Sequence, residues 1–563
     1  MKRLGLLIVL AAVAAGGVVY TVRHSGSTSN AAVTTLLPRN TVVLIHLPDF
    51  NRTRNDWHQT DLYKIYEEPA VREFLNRPLS KVPQRHTASE TIGDLEKLSP
   101  KDAFVAVTSI DQNSPHFVGG FRFRGSQLEA EKIIGKWRSK IGAMATVSES
   151  VDYQQHKIDI AGTAPNQIAT VYDGEWFFAS NDLAELKAGL DRVDGRDKNQ
   201  QALLRTDETF RAAMAHMPSN YALLFYVQPQ GISQKLRAAI GASGNQNGVV
   251  EQIRSICGAT RFDSGKMRDV LFVGVPQTEP DWKLTRSSLN LGTADTFLYL
   301  ATLINPTRLA GLNQGILPTG TWIEKVFDAT ARAGVTADDW KEALDLELQS
   351  LADWAPDSRW PSIIVTMRVK DFARARKLAD ALTHGIDEDA TWAKTEKNGV
   401  TYFSMQTPTA LFAITPTVAL SQQALIVGLD QRSVELAINR MGQSPSGFVN
   451  SPAYKTATHA VAPPSGAFFY VDTALLYSRL DASLRPMLLM SAAFMPGMAD
   501  YVDVNKLPPP EIVAKHLSPI VSSQRYDGDG YVTESVGPVT LSEMAIGVVI
   551  PAVFGAKSDA LRP

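Results

Sequence analysis

The sequence repeats itself, and this repeat limits the folds that the chain can adopt. Residues 221–227 (YALLFYV) resemble residues 465–471 (SGAFFYV), 244 positions later. Four further matches keep the same order in both parts: residues 206–214 with 450–458, 176–182 with 424–430, 121–124 with 367–370, and 40–45 with 295–300. Because the order is kept although identity is low, we interpret the body of the chain as two homologous domains rather than a solenoid of short repeats.

Each copy has the pattern of an α+β domain. The predicted strands are residues 157–160, 167–172 and 175–180 in the first copy and 400–405 and 412–429 in the second. Asp173-Gly174 between two of them is a strong hairpin signal. We therefore predict largely antiparallel sheets with helices packed on one face. The separation between matches falls from 255 to 244 residues along the unit, so we expect the second copy to lack a short strand or loop.

One helix is predicted in detail in the second copy. Its apolar stripe is formed by residues at helical spacing: Trp340, Leu344, Leu348 and Leu351. Thr336 and Asp339 are placed like a capping box at its start. The acidic residues nearby are interpreted as its solvated face: Asp338, Asp339, Glu342 and Asp345.

The N-terminus predicts a membrane segment. Lys2 and Arg3 precede an apolar run at residues 4–22, which Arg23 closes. Such a run makes a helix of about 30 Å, the hydrocarbon thickness of a bilayer. An uncleaved anchor is preferred because a signal core has only ~7–15 residues. A cleaved signal remains the alternative, since residues 12–14 (AVA) form a small-residue cleavage site.

These patterns divide the chain into six parts: a signal anchor or signal peptide at 1–24, a linker at 25–35, a first α+β domain at 36–277, a linker at 278–291, a second α+β domain at 292–505, and a C-terminal tail at 506–563. The basic start predicts a cytoplasmic N-terminus. We therefore expect a single-pass inner-membrane protein with an extracytoplasmic body, or a periplasmic or secreted protein if the signal is cleaved. In the tail, the apolar stretch at residues 544–555 is too short to span a membrane.

Composition narrows the classes of partner. The formal net charge of −2 gives no general attraction to nucleic acid. The single cysteine, Cys257, excludes an internal disulfide and is interpreted as a buried small residue. We expect the membrane as one partner, through the N-terminal helix, and a protein of the envelope as a second.

The candidate chemical groups are weak, and we assign no catalytic, cofactor-binding or metal-binding residue. The sequence has no G-x-S-x-G, H-E-x-x-H or P-loop motif. His46 and Asp49 end the first predicted strand, but the matching residue of the second copy is Ala301, so a structural role is preferred. Residues 51–58 predict a polar turn before a helix at 62–75. Asp527 and Asp529 lie in a predicted tight turn rather than a calcium loop.

One family resemblance supports an envelope protein. It is carried by residues 36–49 (LLPRNTVVLIHLPD), then Trp57, Thr60, Leu62 and Tyr63, then Glu68, Pro69, Val71, Phe74 and Leu75, with a similar tail at 527–552. This sequence resembles an uncharacterised bacterial envelope family, a domain of unknown function with an N-terminal signal or anchor. The resemblance implies an extracytoplasmic bacterial protein and supplies no catalytic residue.

The leading functional hypothesis is a membrane-anchored binding or scaffold protein that is not an enzyme. The alternatives are an envelope hydrolase, which a cleft with converging carboxylates would favour, and a carrier of apolar ligands, which a large enclosed cavity would favour. Residues alike in both copies should maintain the core, so we expect Phe225, Tyr226, Phe469 and Tyr470 to be buried. A unique site should use residues of one copy only, and the tail is expected to close the space between the copies.

The anchor is directly testable. If residues 1–24 remain on the mature chain, the protein stays in the membrane fraction after alkaline carbonate washing, because a spanning helix inserts almost irreversibly. N-terminal sequencing of the membrane fraction checks this. A soluble form that begins near Ala15 contradicts the anchor.

Overall fold

A computed structural model describes residues 31–81, 85–111, 114–141, 147–162, 167–231, 252–277, 283–304, 330–385, 391–406, 415–443, 447–494 and 503–540. Within them, twenty strands form one continuous antiparallel sheet, accompanied by fifteen α-helices. The described fold is therefore α+β with a large antiparallel sheet, which confirms the predicted fold class at this level.

The strands are β1 (Val43–Asp49), β2 (Lys101–Asp111), β3 (Ser114–Arg122), β4 (Val147–Tyr153), β5 (His156–Ala161), β6 (Ile168–Asp173), β7 (Trp176–Ser180), β8 (Leu223–Val227), β9 (Ser255–Asp263), β10 (Lys266–Gly274), β11 (Thr296–Leu303), β12 (Glu347–Asp353), β13 (Ser362–Arg368), β14 (Thr391–Lys397), β15 (Val400–Gln406), β16 (Thr417–Leu420), β17 (Ala424–Gly428), β18 (Ala467–Val471), β19 (Ile520–Tyr526) and β20 (Tyr531–Gly537).

The helices are α1 (Ala31–Thr34), α2 (Phe50–His58), α3 (Asp61–Glu67), α4 (Pro69–Ser80), α5 (Arg85–Leu98), α6 (Gln127–Ile141), α7 (Leu183–Val193), α8 (Glu208–Met214), α9 (Ala337–Ala343), α10 (Phe372–Gly385), α11 (Gln431–Arg440), α12 (Gly447–Asn450), α13 (Pro452–His459), α14 (Thr473–Phe494) and α15 (Pro510–Ala514).

The strand order reads the same in the two halves of the sheet. In the first half the order is β4-β5-β6-β7-β3-β2-β1-β8-β9-β10, and in the second it is β14-β15-β16-β17-β13-β12-β11-β18-β19-β20. The halves join where β10 pairs with β20. We call this pairing the seam.

The hydrogen-bond register also matches between the halves. Leu44 of β1 pairs with Tyr226 of β8, and Tyr299 of β11 pairs with Tyr470 of β18. These pairs lie at the two separations seen in the sequence, 255 and 244 residues. The separation shortens between the first two strands of each half, because the connection from β11 to β12 is shorter than that from β1 to β2. No described strand is lost, so the expected missing element is a shorter connection.

Helices cover both faces of the sheet, whereas one covered face was predicted. On the first face, α7 and α8 pack on Tyr226 and its neighbours, and α11 to α13 pack on Tyr470 and its neighbours. On the opposite face, α5 and α6 cover Phe123 and Phe177, and α9 and α10 cover Phe403. Successive residues of a strand point to opposite faces, so Tyr226 and Tyr470 are buried while Phe225 and Phe469 are only half-buried. The prediction of burial was wrong for these two phenylalanines.

The predicted helix of the second copy ends earlier than expected. The capping box of Thr336 and Asp339 is confirmed at the start of α9, and Trp340 is buried. Leu348 and Leu351, however, lie on β12 rather than on the helix. The buried side chain of Glu347 accepts hydrogen bonds from the amides of Thr285 and Arg286, which fixes this segment as a strand against the preceding loop.

Two further segments differ from the prediction. Residues 51–58 belong to α2 rather than to a turn, because the Asp49 side chain accepts from the Arg52 amide and caps the helix. The tail supplies β19 and β20, which lie in the middle of the sheet instead of forming a separate appendage. The apolar stretch at 544–555 and the N-terminal run lie outside the described residues.

The seam belongs to both cores. Val270 pairs with Glu534, 264 positions later, and the same separation relates Cys257 of β9 to Val521 of β19. β20 contributes Val532 to the core around Tyr226 and Val536 to the core around Tyr470. The first face of the sheet is therefore one apolar layer that crosses the seam.

The helices in the described part of the chain differ in length, from four residues in α1 to twenty-two in α14. None of these helices combines the length and the apolar character needed to span a bilayer.

Packing at the seam gives a test of the fold. A Cβ atom on Gly530 would lie 2.3 Å from the Val273 carbonyl oxygen, a backbone atom that cannot move aside. We expect Gly530→Ala to lower the free energy of unfolding by about 1–3 kcal/mol, the usual cost of overpacking. Urea unfolding midpoints in detergent solution measure the change.

The matched control is Gly189→Ala in α7, where a Cβ atom meets nothing within 4 Å. This change should stabilise the protein by up to about 1 kcal/mol, because alanine favours the helix. Equal midpoints for Gly530→Ala and the wild type contradict the tight approach of β20 to β10.

Candidate binding surface

A buried polar network surrounds His46. Its Nδ1 shares a hydrogen bond of 2.7 Å with the Tyr221 hydroxyl, and its Nε2 lies 3.8 Å from Oδ1 of Asp102. Arg122 donates to the other oxygen of Asp102. In the tautomer protonated on Nε2, the ring accepts from Tyr221 and points its N–H toward the carboxylate. Hydroxyl, imidazole and carboxylate thus follow one another in the order of a nucleophile, a base and its orienting group.

This network is closed to substrate, and its hydroxyl group is not activated as a nucleophile. His46 is fully buried, and burial lowers its pKa from 6.5, while Asp102 acts in the opposite direction. Burial also raises the pKa of Tyr221, which weakens it as a nucleophile. Register places Ala301, Glu347 and Ser465 at the corresponding positions of the second half. We interpret the network as a structural tie of the first half, in agreement with the role preferred for His46.

The other sequence candidates also have structural roles. Asp49 caps α2 and lies 3.5 Å from the Lys101 amine, so it is not the partner of His46. Asp527 and Asp529 lie in the tight turn between β19 and β20, as predicted. Cys257 is buried, and burial raises its pKa to about 12.

One group in the described residues has the composition of a metal site. The ligand atoms of His156, Asp173 and Asp194 lie within 4.8 Å of one another. His156 Nε2 lies 2.8 Å from Asp194 Oδ2, and Arg196 donates to the same oxygen. Desolvation acts to raise the pKa of Asp194, but His156 and Arg196 hold it below its usual value. Since the carboxylate is already neutralised by these neighbours, we interpret the group as an ion-pair network.

Two cavities lie among the described residues, one enclosed and one open to solvent. A mostly enclosed cavity, lined in part by Leu37, Phe104 and Leu190, has a volume of about 10 Å³, roughly the room for one water. A larger depression of about 460 Å³ beside α10 is open to solvent and lined in part by Arg376, Lys377 and Asp380. Neither resembles an apolar ligand chamber of several hundred Å³.

An exposed apolar surface lies on the opposite face of the second half, along β13 and β17. Ile363, Val427 and Leu429 are 36%, 37% and 39% exposed, and Val365 pairs with Val427. We call these four residues the apolar strip. Helix α10 covers the sheet on one side of the strip, and α14 covers it on the other. The strip is thus a piece of sheet face between two helices, left open by both.

The apolar surface at the matching positions of the first half is smaller, because only Phe117 and Ala179 are apolar side chains there and both are half-buried. Gly119 pairs with Ala179 where Val365 pairs with Val427. Asn181, at the position of Leu429, accepts from the Phe117 amide and donates to the Pro115 carbonyl. An apolar strip of this size therefore occurs in one half only, as expected for a unique site.

A second apolar surface lies at the end of α14. The helix packs through Leu475 and Leu476 on Phe297 and Trp354. Beyond this contact its exposed side chains are apolar: Leu480 36%, Leu484 36%, Leu488 39%, Leu489 43% and Met490 60%. We call Leu488, Leu489 and Met490 the helix tip.

Neither the apolar strip nor the helix tip was predicted from the sequence. Runs such as Ile363–Val365 are typical of strands buried on both faces, so periodicity alone predicts burial of the strip. The helix tip carries a readable signal, because residues 486–494 contain no ionisable side chain.

The pH dependence of stability tests the environment of His46. Below pH 6.5 the unfolded chain binds a proton that buried His46 resists, so its contribution is present above pH 6.5 and is lost as the pH falls. We expect His46→Gln to flatten the fall of the unfolding free energy between about pH 7 and pH 5, by at most about 1.4 kcal/mol per pH unit. Chemical unfolding at several pH values measures the slope.

The control is His116→Gln. This change removes the half-buried hydrogen bond of 2.9 Å between His116 Nδ1 and Asp182 Oδ2, and it should leave the contribution of His46 intact. If His46→Gln retains the wild-type slope while His116→Gln alters it, the assignment to His46 is refuted.

Comparison with known proteins shows no family. No protein-family model matches the chain, and no curated protein matches it in sequence. Solved structures of TP0453 in crystal forms III and I align with TM-scores of 0.25 and 0.24 at 7% identity, covering 44% of this chain and 80% and 79% of theirs. Likeness at these TM-scores shows neither a common fold nor a function.

Proposed function

We propose that this protein is a membrane-anchored, extracytoplasmic binding or scaffold protein of the bacterial envelope, built from two homologous α+β domains. Residues 1–24 hold it in the inner membrane as a single-pass protein. The first domain comprises residues 36–277. The second begins at residue 292 and includes β19 and β20, which complete its sheet in the way that β9 and β10 complete the first.

Repeated contacts support the duplication. Arg192, at the end of α7, donates to the Leu36 carbonyl at 2.8 Å, and Arg440, at the end of α11, donates to the Leu291 carbonyl at 2.8 Å. Leu291 follows Leu36 by 255 residues, the separation of the first matched strands. The same tie between a helix end and the segment before the first strand thus occurs twice.

The aromatic cores repeat in the same way. Phe210 lies edge-on to Tyr226 at 5.0 Å and 83°, and Tyr454 lies edge-on to Tyr470 at 5.3 Å and 67°. Edge-to-face pairs of this kind contribute about 0.5–1.5 kcal/mol beyond burial. An edge-to-face aromatic pair at matching positions of β8 and β18 favours a common origin of the two cores over a chance likeness.

The apolar strip carries the assignment to binding. Ile363, Val427 and Leu429 are each more than a third exposed on a sheet face that helices cover on both sides. The largest contiguous apolar patch on a monomer is often a functional surface. The smaller apolar surface at the matching positions of the first half argues that the strip is not required by the shared fold. We therefore assign the strip as the surface that binds a protein partner in the envelope.

Photo-crosslinking in living cells tests this assignment. A photo-reactive phenylalanine analogue is placed at Val427 in the full chain, and, as a matched control, at Leu128, an exposed leucine of α6 in the first half. We expect one defined protein adduct from position 427 and none from position 128, because position 128 lies outside the proposed contact surface. Mass spectrometry of the adduct identifies the partner.

A second experiment places the analogue at Leu429. The double variant Ile363→Glu and Val427→Glu should then abolish the adduct without lowering the thermal midpoint, since both side chains are exposed. A chain that crosslinks equally from positions 427 and 128, or from neither, refutes the strip as a binding surface.

A further inference from the structure

The charged residues of α14 all lie before its last nine residues, and each of them makes a contact within the body. Arg479 donates to the Trp354 carbonyl and to Asp295, at 3.0 and 3.1 Å. Arg485 pairs with Asp481 and donates to the Pro508 carbonyl at 2.6 Å. After Arg485 the helix continues to Phe494 without an ionisable side chain. The charged side chains of this helix therefore all make internal contacts, and its last nine residues contain no charged side chain.

The exposed apolar residues of the helix tip span an arc of about 200° around the helix axis, wider than the single face marked by Leu480, Leu484 and Leu488. Leu488, Leu489 and Met490 are consecutive, so they point about 100° apart around the helix axis. Their exposed fractions are 39%, 43% and 60%. A groove on a partner protein covers one face of a helix, at positions three and four apart. An apolar surface that covers so wide an arc of the helix is instead suited to contact with lipid, which can surround it.

The residues at the base of the tip suit a membrane interface. Arg359 lies 5.4 Å over the ring of Trp360, which is 43% exposed. The Arg359 side chain also lies 3.5 Å from the sulfur of Met487, and the Ser483 hydroxyl donates to the Arg359 carbonyl. Tryptophan concentrates where a bilayer meets water, and an arginine can lie along apolar surface there while its charged group stays in water. Here they lie beside the last turns of an uncharged helix.

We propose that the tip of α14 inserts into the headgroup region of the same phospholipid bilayer that holds the N-terminal anchor, to a depth of about 5–10 Å. This inference rests on the proposed anchor.

A second copy of the chain is less suited than lipid to cover the helix tip. The tip is of the order of a few hundred Å², the size of the largest patch on an ordinary monomer. A stable protein interface needs about 800 Å² from each partner. Lipid requires neither this area nor a complementary shape, and the tip becomes a second membrane contact beside the anchor.

Site-specific fluorescence on the full chain tests the insertion. Cys257, the only natural cysteine, is buried, so Leu489→Cys and the control Leu128→Cys each accept an environment-sensitive NBD label at one position. Both variants are reconstituted into vesicles of equal parts phosphatidylcholine and phosphatidylglycerol, with and without bromine on the acyl chains. Vesicles that float after carbonate washing are measured.

We expect the label at position 489 to show blue-shifted emission and strong quenching by brominated lipid, and the label at position 128 to show neither. Emission at position 489 like that at position 128 overturns the insertion. A blue shift without quenching also overturns it and identifies a second copy as the occupant. A chain that does not float refutes the anchor and the insertion with it, whereas a floating chain with an unquenched label refutes the insertion alone.

Discussion

The pairing of β10 with β20 is the interaction on which the rest of the structure depends. Seven residue pairs, from Met267 with Gly537 to Val273 with Tyr531, join two ten-strand sets into one sheet. Without this pairing, each set would end in an open edge strand, a template for aggregation. Because β20 gives Val532 to one core and Val536 to the other, separating the seam exposes both cores at once.

The seam also fixes the relation between the halves. Val270 faces its counterpart Glu534, so the two halves are arranged about this pair like the partners of a two-fold dimer fused in one chain. The cores around Tyr226 and Tyr470 then lie on the same face of the sheet. On the opposite face, matching positions do not contact each other across the seam, and there the halves differ. Asn181 hydrogen-bonds to the backbone, while Leu429 at the matching position is 39% exposed. The two halves thus have similar cores on one face of the sheet and different exposed residues on the other.

Much of the fold follows from local patterns. The hairpin at Asp173-Gly174 and the capping box at Thr336 form as predicted, since both depend on neighbours within four residues. The failures occur where distant contacts outweigh local spacing. Leu348 and Leu351 fit a helix in sequence, yet Glu347 is held against the amides of Thr285 and Arg286, sixty residues away, and the segment becomes a strand.

The sequence by itself determined the α+β class, the order of the matched segments and the burial of Tyr226 and Tyr470, because periodicity and repeat order are properties of the linear chain. The tertiary structure alone decided that β19 and β20 lie in the middle of the sheet, that His46 faces Tyr221 across 175 residues, and that the apolar strip stays open. These depend on which elements cover which face. An apolar residue reads the same in a sequence whether a helix packs over it or leaves it exposed.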